Sequence, residues 1–311
     1  MGVAVAWFLV ACGSPAAPVE PPRAEPPPEP ATEMAREQLF FAGEGADPTL
    51  LAIVLQRVRD GAGASIEAKA FLVWDGAWHA PFWERVAVPV WPGTGVDAAI
   101  AAWGEARGGR SLRVEWVDGD RGLHVRLRAP DGGIAIDAPT LTDAGVGRDP
   151  HGAVAWRTGP ATIDVNGAVR SGLVVVESLV APAEATPSFG TFEMWVTAPS
   201  SGVLALERRT LLSTNDPGEV LRATASGATI EPAFPLQVTE VRPDAASGFA
   251  LPSAWQHGEQ GPAYARIDGE IGRGVGPRGQ PAAYDVAFAR QIGGPGAALV
   301  FHLQDTPQDA R

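Results

Sequence analysis

The chain has 311 residues, of which 45% are hydrophobic and 19% charged, and its formal net charge is −12. The apolar fraction is enough to build the core of one large domain or two modest ones, which excludes wholesale disorder, and the acidic balance argues against a nucleic-acid partner. Glycine and proline make up about a fifth of the residues, a composition that disfavours a helical bundle and favours many short strands.

The N-terminus carries about nine apolar residues that end at the single cysteine, Cys12. This run is too short to span a membrane, which takes about 20 residues, but it has the length of the apolar region of an export signal. The segment Leu9–Gly13 resembles the lipobox of bacterial lipoproteins, in which the chain is cut before the cysteine and the thiol then carries the lipid. The resemblance implies a signal peptide at 1–11 and an acylated Cys12, although no Lys or Arg precedes the apolar run. The alternative is an ordinary buried cysteine in an N-terminal strand.

Residues 12–32 combine the cysteine with a proline-rich segment that has no hydrophobic period. Such a segment is extended and stiff, at about 3 Å per residue, and would hold a folded body away from a membrane. Gly13 stands where an aspartate would, by analogy with lipoproteins, signal retention at the inner membrane. The resemblance therefore implies an outer-membrane location in the bacterial cell envelope. The rest of the chain divides into two predicted β-rich halves, 33–180 and 181–311.

From Glu37 onward, apolar and polar residues alternate with a period of two between turn residues, which is typical of β-strands. The clearest predicted hairpin joins Ser65–Trp74 to Ala77–Val88 through Asp75-Gly76, a strong two-residue turn signal. Further predicted strands lie at 112–116, 123–128, 49–58, 132–138, 160–165, 171–181, 190–198, 203–212, 219–225, 235–242, 263–273, 282–291 and 297–303. The first two of these are expected to form a second hairpin.

One short helix is predicted near 95–107. Val96, Ile100 and Trp103 recur there at helical spacing, and Gly108-Gly109 ends the pattern. We expect this helix to lie on a sheet or to plug one.

The two halves contain similar parts in the same order: an aromatic and acidic cluster, a hairpin, a basic and apolar strand and a proline-rich loop. The clusters are Trp78–Glu84 in the first half and Ser188–Trp195 in the second. This arrangement resembles the tandem lipocalin-like proteins, a group that includes carotenoid hydratases and other proteins of apolar ligands. The resemblance implies an all-β, antiparallel fold of two lipocalin-like barrels. One large β-sandwich or a single wide barrel is the alternative that the residues leave open.

The first predicted hairpin holds several candidate site residues. In a regular hairpin Glu67 lies opposite Glu84, and like charges directly opposite each other destabilise a strand pair. Lys69, the only lysine of the chain, lies one pleat from both carboxylates. We expect these three residues to form a polar spot in an apolar cavity, where Glu84 is the candidate catalytic acid or base. A solvated charge cluster, or a bulge at Pro81 that breaks the pairing, is the alternative. The other candidate binding residues of this hairpin are Trp78 and His79.

Glu177 and Glu193 are candidate binding residues because each places a carboxylate on an apolar strand face. An ionised carboxylate is costly in such surroundings unless it is paired, and Arg208 and Arg209 are the candidate partners of Glu177. Glu193 shares its face with Trp195, which completes the candidate set. At both carboxylates the alternative to a ligand-polarising role is a structural ion pair.

We predict no metal and no cofactor, because the sequence carries no metal-ligand or nucleophile motif and its one match to a cofactor motif lacks the helix that the motif requires. The five histidines follow no metal-ligand spacing, and one cysteine cannot form a disulfide framework. No Gly-x-Ser-x-Gly motif of a nucleophilic serine is present. Gly274–Gly279 matches the dinucleotide fingerprint, but Pro277 and Pro281 forbid the helix that should follow it, so we predict a hairpin loop.

These features predict a lipid-anchored envelope protein that binds an apolar or amphipathic small molecule in a β-barrel-like cavity. One alternative is a hydratase- or isomerase-type enzyme on the same scaffold, with a buried Glu or His as the acid. The other is a structural or interaction lipoprotein that presents loops to another envelope protein. An enclosed cavity favours the first two, whereas a solid core with a large exposed apolar patch favours the third.

Overall fold

Two antiparallel sheets contain most of the residues that the structure describes, which confirms the all-β prediction. The computed structural model describes residues 33–304 except 46, 61–62, 94, 107–110, 120–121, 150–151, 183–190, 201, 211–217, 234, 246–247 and 276–280. Cys12, the predicted signal peptide and the proline-rich segment lie outside these residues. Within the described part, no helix is both long enough and apolar enough to cross a bilayer.

The first sheet has ten strands. They are β1 (Glu33–Gly43), β2 (Leu50–Asp60), β3 (Gly63–Trp74), β4 (Ala77–Val88), β5 (Arg113–Gly119), β6 (Gly122–Ala129), β7 (Gly132–Ala138), β8 (Thr142–Asp149), β9 (Gly152–Val165) and β10 (Ala168–Pro182). The hydrogen-bonded order is β4-β3-β2-β1-β10-β9-β7-β6-β5, and β8 pairs with β9. The predicted helix is confirmed as α1 (Val96–Glu105), which contacts β4 and β5. Because these are the two ends of the strand order, the helix bridges the open edges of a curled sheet.

The second sheet has nine strands. They are β11 (Thr191–Ser200), β12 (Val203–Thr210), β13 (Glu219–Thr224), β14 (Gly227–Pro232), β15 (Leu236–Asp244), β16 (Phe249–His257), β17 (Ala263–Val275), β18 (Pro281–Gln291) and β19 (Ala297–Gln304). Their order is β14-β13-β12-β11-β19-β18-β17-β16-β15.

The two sheets have the same strand topology, apart from β8, which is an additional strand of the first sheet. In each sheet the first strand of the half lies in the middle and pairs with the last strand, β1 with β10 and β11 with β19. Each first strand places a buried or half-buried glutamate opposite a polar residue of the last strand, Glu37 opposite Ser178 in the first sheet and Glu193 opposite His302 in the second. Glu37 is therefore the counterpart of Glu193 in the first sheet.

Strand alternation sends side chains to three cores. The inner face of the first sheet packs around the helix residue Trp103, and the inner face of the second sheet packs around Trp195 and Trp255. The opposite faces of the two sheets pack against each other, where Phe40 and Trp156 of the first sheet belong to one cluster with residues of the second. The members that the second sheet contributes include Met194, Leu206, Leu299 and Phe301.

The predicted β3–β4 hairpin is confirmed, with a type I′ turn in which Asp75 has φ 50° and Gly76 has φ 73°. The predicted opposition of Glu67 and Glu84 is wrong. A bulge lies opposite Phe71, at the position of Pro81, and shifts the register by one residue, so that Glu67 faces Arg85 instead. Proline cannot donate to the strand ladder, which explains why the bulge forms there.

Most other predicted strands are also observed, including the second hairpin, β5–β6. The predictions miss β8, β14 and β16 and do not resolve β1 as a strand of its own. Glycines in β8 and prolines in β14 and β16 interrupt the alternation that marks a strand.

A buried ion pair joins the sheets at Glu177, which is 1% exposed on β10. The carboxylate accepts a hydrogen bond from Nη2 of Arg208 on β12, which confirms the predicted partner. Within the first sheet, Trp156 Nε1 donates to Glu177 Oε2 at 2.8 Å, and Arg36 Nη2 lies 3.4 Å from Oε1. Both carboxylate oxygens are therefore occupied by donors, as a charge in an apolar interface requires.

We expect the Glu177–Arg208 pair to show strong coupling in a double-mutant cycle of urea unfolding. Glu177→Leu leaves the buried Arg208 without its carboxylate and lowers the free energy of unfolding by about 3–5 kcal/mol. Arg208→Met should lower it less, because Arg36 still pairs with Glu177. The double variant should lose less than the sum of the two single losses. Glu115→Gln, which breaks an exposed pair with Arg126 on β6, is the control and should change stability by less than about 1 kcal/mol. Additive losses at Glu177 and Arg208 would contradict this prediction.

Candidate functional site

A row of polar side chains crosses the inner face of the second sheet. Glu193 on β11 lies opposite His302 on β19, and His302 lies opposite Asp285 on β18. All three are at most 3% exposed. Residues opposite each other on adjacent strands point to the same face, so the three side chains form a continuous row in an otherwise apolar interior.

Glu193 and His302 form a carboxylate–imidazole pair, with Nδ1 of the histidine 2.9 Å from Oε1 of the glutamate. Trp195 Nε1 donates to Glu193 Oε2 and Trp255 Nε1 donates to Oε1, both at 3.4 Å. When the imidazole carries its proton on Nδ1, it donates to Glu193 and Nε2 presents a lone pair. His302 Nε2 is buried and has no hydrogen-bond partner among the described residues. The pair therefore orients an imidazole whose second nitrogen is uncommitted.

Aromatic rings enclose this pair on one side. The Trp195 ring meets Trp255, Tyr264 and His257 edge-on, with ring centroids 5.2, 5.4 and 4.7 Å away. Burial raises the pKa of the Tyr264 hydroxyl. His257 Nδ1 lies 3.7 Å from Oε2 of Glu207, which places a second imidazole beside a carboxylate on the same face. The surroundings suit an apolar molecule with a polar group.

Asp285 extends the row toward the edge of the sheet. Arg266 on β17 donates to its Oδ2, and Nη2 of Arg242 on β15 lies 3.7 Å from its Oδ1. Gly269 beside this group cannot carry a side chain without strain, because a Cβ would stand 2.2 Å from the Val286 carbonyl oxygen and its φ of 144° disfavours other residues.

Glu37, the counterpart of Glu193 in the first sheet, has a different environment. Ser178 donates to the Glu37 carboxylate, and Arg57 Nη2 lies 3.6 Å from its Oε1. Burial raises the pKa of Glu37 and lowers the pKa of Arg57, so each charge is only partly compensated. Arg57 Nη1 donates to the Gly95 carbonyl at 2.6 Å, next to the first residue of α1. This glutamate therefore supports the helix, which makes Glu193 the better candidate for a ligand.

The predicted site residues of the first hairpin lie outside this interior. Lys69 Nζ is 3.2 Å from Glu67 Oε1 and lies over the Tyr284 ring of the second sheet at 4.8 Å. Trp83 Nε1 donates to the same Glu67 oxygen at 2.6 Å. Trp78 stacks on Phe71 at the interface between the sheets, with ring centroids 6.4 Å apart.

Glu84 accepts hydrogen bonds from the backbone N–H groups of Ser111 and Leu112 at 3.1 and 2.6 Å. These bonds hold the segment that leads into β5. His79 is exposed on β4. The candidates Glu67, Lys69, Glu84, Trp78 and His79 are thus spread over the hairpin rather than gathered in one cavity, and Glu177 lies in the interface between the sheets.

Of the predicted site residues, the structure brings together Glu193 and Trp195 in this interior, and Glu67 and Lys69 on the first hairpin. His302, Trp255 and Asp285 were missed because His302 is 109 positions from Glu193 and no local pattern predicts which distant strands pair. The signal that could have identified His302 is its place in an apolar strand: it is a polar residue among the apolar residues of β19, as Glu193 is among those of β11.

A metal site and a surface cleft are the other kinds of site that the described residues could offer. No group of three or more His, Cys, Asp or Glu side chains in the described ranges is arranged to hold a metal ion. Three surface clefts have volumes of about 280, 460 and 540 Å³, and none of the three is lined by Glu193, His302 or Asp285.

Solved structures show what this fold is similar to. A protein described as AttH from Nitrosomonas europaea is 15% identical, with a TM-score of 0.54 over 93% of this chain and 99% of that chain. Kievitone hydratase from Nectria haematococca is 10% identical, with a TM-score of 0.46 over 88% of this chain and 90% of that one. No protein-family model and no curated protein sequence matches the chain. The likeness to the AttH protein shows the fold and supports the resemblance to tandem lipocalin-like proteins at that level.

Proposed function

We propose that the protein binds an apolar or amphipathic small molecule on the inner face of the second sheet. The observation that carries this proposal is the buried Glu193–His302 pair, whose uncommitted Nε2 lies in an aromatic interior. A buried polar atom without a partner costs about 1–3 kcal/mol. A ligand group that bonds to Nε2 would recover this cost, while the ligand's apolar body would pack against Trp195 and Trp255.

We expect the full chain to bind the neutral fluorescent probe N-phenyl-1-naphthylamine with one-to-one stoichiometry. Trp255→Leu should weaken binding at least about 10-fold, because it removes an aromatic wall of the site, whereas Trp83→Leu on the first sheet should leave the affinity unchanged. Fluorescence titration measures both constants, and thermal unfolding followed by circular dichroism verifies that each variant is folded. Absence of probe binding to the unmodified chain would overturn the proposal and favour a structural or interaction lipoprotein.

The same pair favours a second candidate function, a hydratase- or isomerase-type enzyme. For this reaction the acid would be the protonated imidazole of His302, which Glu193 orients through Nδ1 and whose Nε2–H would protonate one carbon of an apolar alkene. Water then bonds to the adjacent cationic carbon, and the proton that the water loses restores the imidazolium. The apolar surroundings strengthen the interaction of Glu193 with the charged ring.

If the protein is a hydratase, incubation with isoprenoid alkenes in H₂¹⁸O should place ¹⁸O in the product, as mass spectrometry would show. His302→Gln should lower the rate by a factor of about 100 or more, since the glutamine cannot transfer the proton. His79→Gln is the matched control, because His79 is exposed on the other sheet. Incorporation that survives His302→Gln would exclude His302 as the acid.

The location that we propose is the bacterial outer membrane, to which an acylated Cys12 anchors the chain through the proline-rich segment. The support for this is the lipobox-like run that ends at Cys12. An anchor of this kind would place the binding site near lipids, which are a source of apolar ligands, and near other envelope proteins.

Expression of the full chain in a Gram-negative host tests the anchor. The unmodified chain should fractionate with the outer membrane and carry acyl chains by mass spectrometry, and Cys12→Ser should abolish the acylation and the membrane association. Ser14→Ala, two residues away, should change neither. Membrane association and acylation that persist in Cys12→Ser would show that the anchor is elsewhere.

A further inference from the structure

Arg242 lies on β15, at the edge of the second sheet, opposite Leu251 of β16. Its side chain is 38% exposed, yet its Nε and Nη2 atoms are buried and have no hydrogen-bond partner within the described residues. Nη2 approaches Asp285 Oδ1 only to 3.7 Å, which is longer than a hydrogen bond. Nε and one Nη of an arginine form the side-on fork that binds a carboxylate through two parallel N–H···O bonds. At Arg242 this fork is uncommitted.

The charges around Arg242 compensate it incompletely. Asp285 is bound through Oδ2 to Arg266, and its Oδ1 has no hydrogen bond within the described ranges. Burial and the nearby Arg266 lower the pKa of Arg242, against the opposing effect of Asp285 and Asp244. Because the net effect disfavours the cation, a further anion at the fork would be stabilising.

The fork lies at the outer end of the polar row that begins at Glu193. Asp285 is the cross-strand neighbour of His302, so the unpartnered atoms of His302, Asp285 and Arg242 follow one another along the inner face. Phe249, Leu251, Ala283 and Ile271 form an apolar cluster beside them. Phe249, Leu251 and Ala283 are at most 3% exposed, so the accessible member of this cluster is Ile271, which lies opposite Asp285. An ionic group at the rim with this apolar side chain next to it matches a molecule that has one charged end.

We infer that the Arg242 fork binds the carboxylate of the ligand, whose apolar body lies against Ile271. This inference rests on the proposed binding function and narrows its ligand class to apolar carboxylic acids such as long-chain fatty acids. Arg266, which already neutralises Asp285, limits the repulsion that this aspartate would exert on the bound carboxylate.

The test compares cis-parinaric acid with the corresponding alcohol, which has the same polyene chain and no charge. Both are titrated into the full chain by fluorescence at a pH at which the acid is ionised. The unmodified chain should bind the acid at least about 10-fold more tightly than the alcohol. Arg242→Met should remove this preference and leave the affinity for the alcohol unchanged. Arg242→Lys, which keeps the charge but lacks the fork, should retain only part of the preference for the acid.

Arg113→Met is the matched control, because Arg113 is exposed on β5 of the first sheet, and it should preserve the preference for the acid. Thermal unfolding identifies any Arg242 variant that fails to fold. The comparison of acid and alcohol on the unmodified chain tests the inference even if every variant fails to fold. Equal affinity for acid and alcohol in the unmodified chain would overturn this inference while the binding function stands. A preference for the acid that survives in folded Arg242→Met would also overturn it. Binding of neither probe would overturn the binding function itself.

Discussion

The ion pair between Glu177 and Arg208 is the constraint on which the arrangement of the two sheets depends. It lies among the aromatic and aliphatic side chains that the outer faces share, where a charge without a partner would cost several kcal/mol. The apolar contacts favour any close packing of the two faces, whereas the charges are satisfied in one relative position. Because the two sheets pack against each other through their outer faces, which are the faces opposite the inner ones, the inner face of each sheet encloses a separate interior.

The two interiors show how one topology serves two roles. In the first sheet α1 bridges the edges, Trp103 fills the centre and Arg57 connects the buried Glu37 to the start of the helix. The second sheet has no helix within its described residues, and the counterpart Glu193 binds an imidazole and two indoles instead. A polar row that no helix covers is a better place for a ligand, which is why the proposals concern the second half.

Local signals predicted much of the fold. The Asp75-Gly76 turn suits a type I′ hairpin, and the spacing of the apolar residues before Gly108 indicates a helix; both features depend on neighbours in the chain. A carboxylate on an apolar strand requires a cation, which limited the partner of Glu177 to Arg208 or Arg209, and the structure selects Arg208. Beyond Pro81 the residues left two registers open, that of a regular hairpin and that of a bulge, and the structure has the bulge, which moves the later residues to the opposite face.

The sequence alone determined the all-β class, the hairpins that adjacent strands form and the presence of carboxylates on apolar faces. All of these follow from alternation, turn residues and the cost of burying a charge. Only the tertiary structure decided that β11 pairs with β19, which brings Glu193 next to the β18–β19 hairpin and aligns it in one row with His302 and Asp285. That pairing joins residues about a hundred positions apart. It arises from the packing of whole sheets, which leaves no periodic signal in the chain.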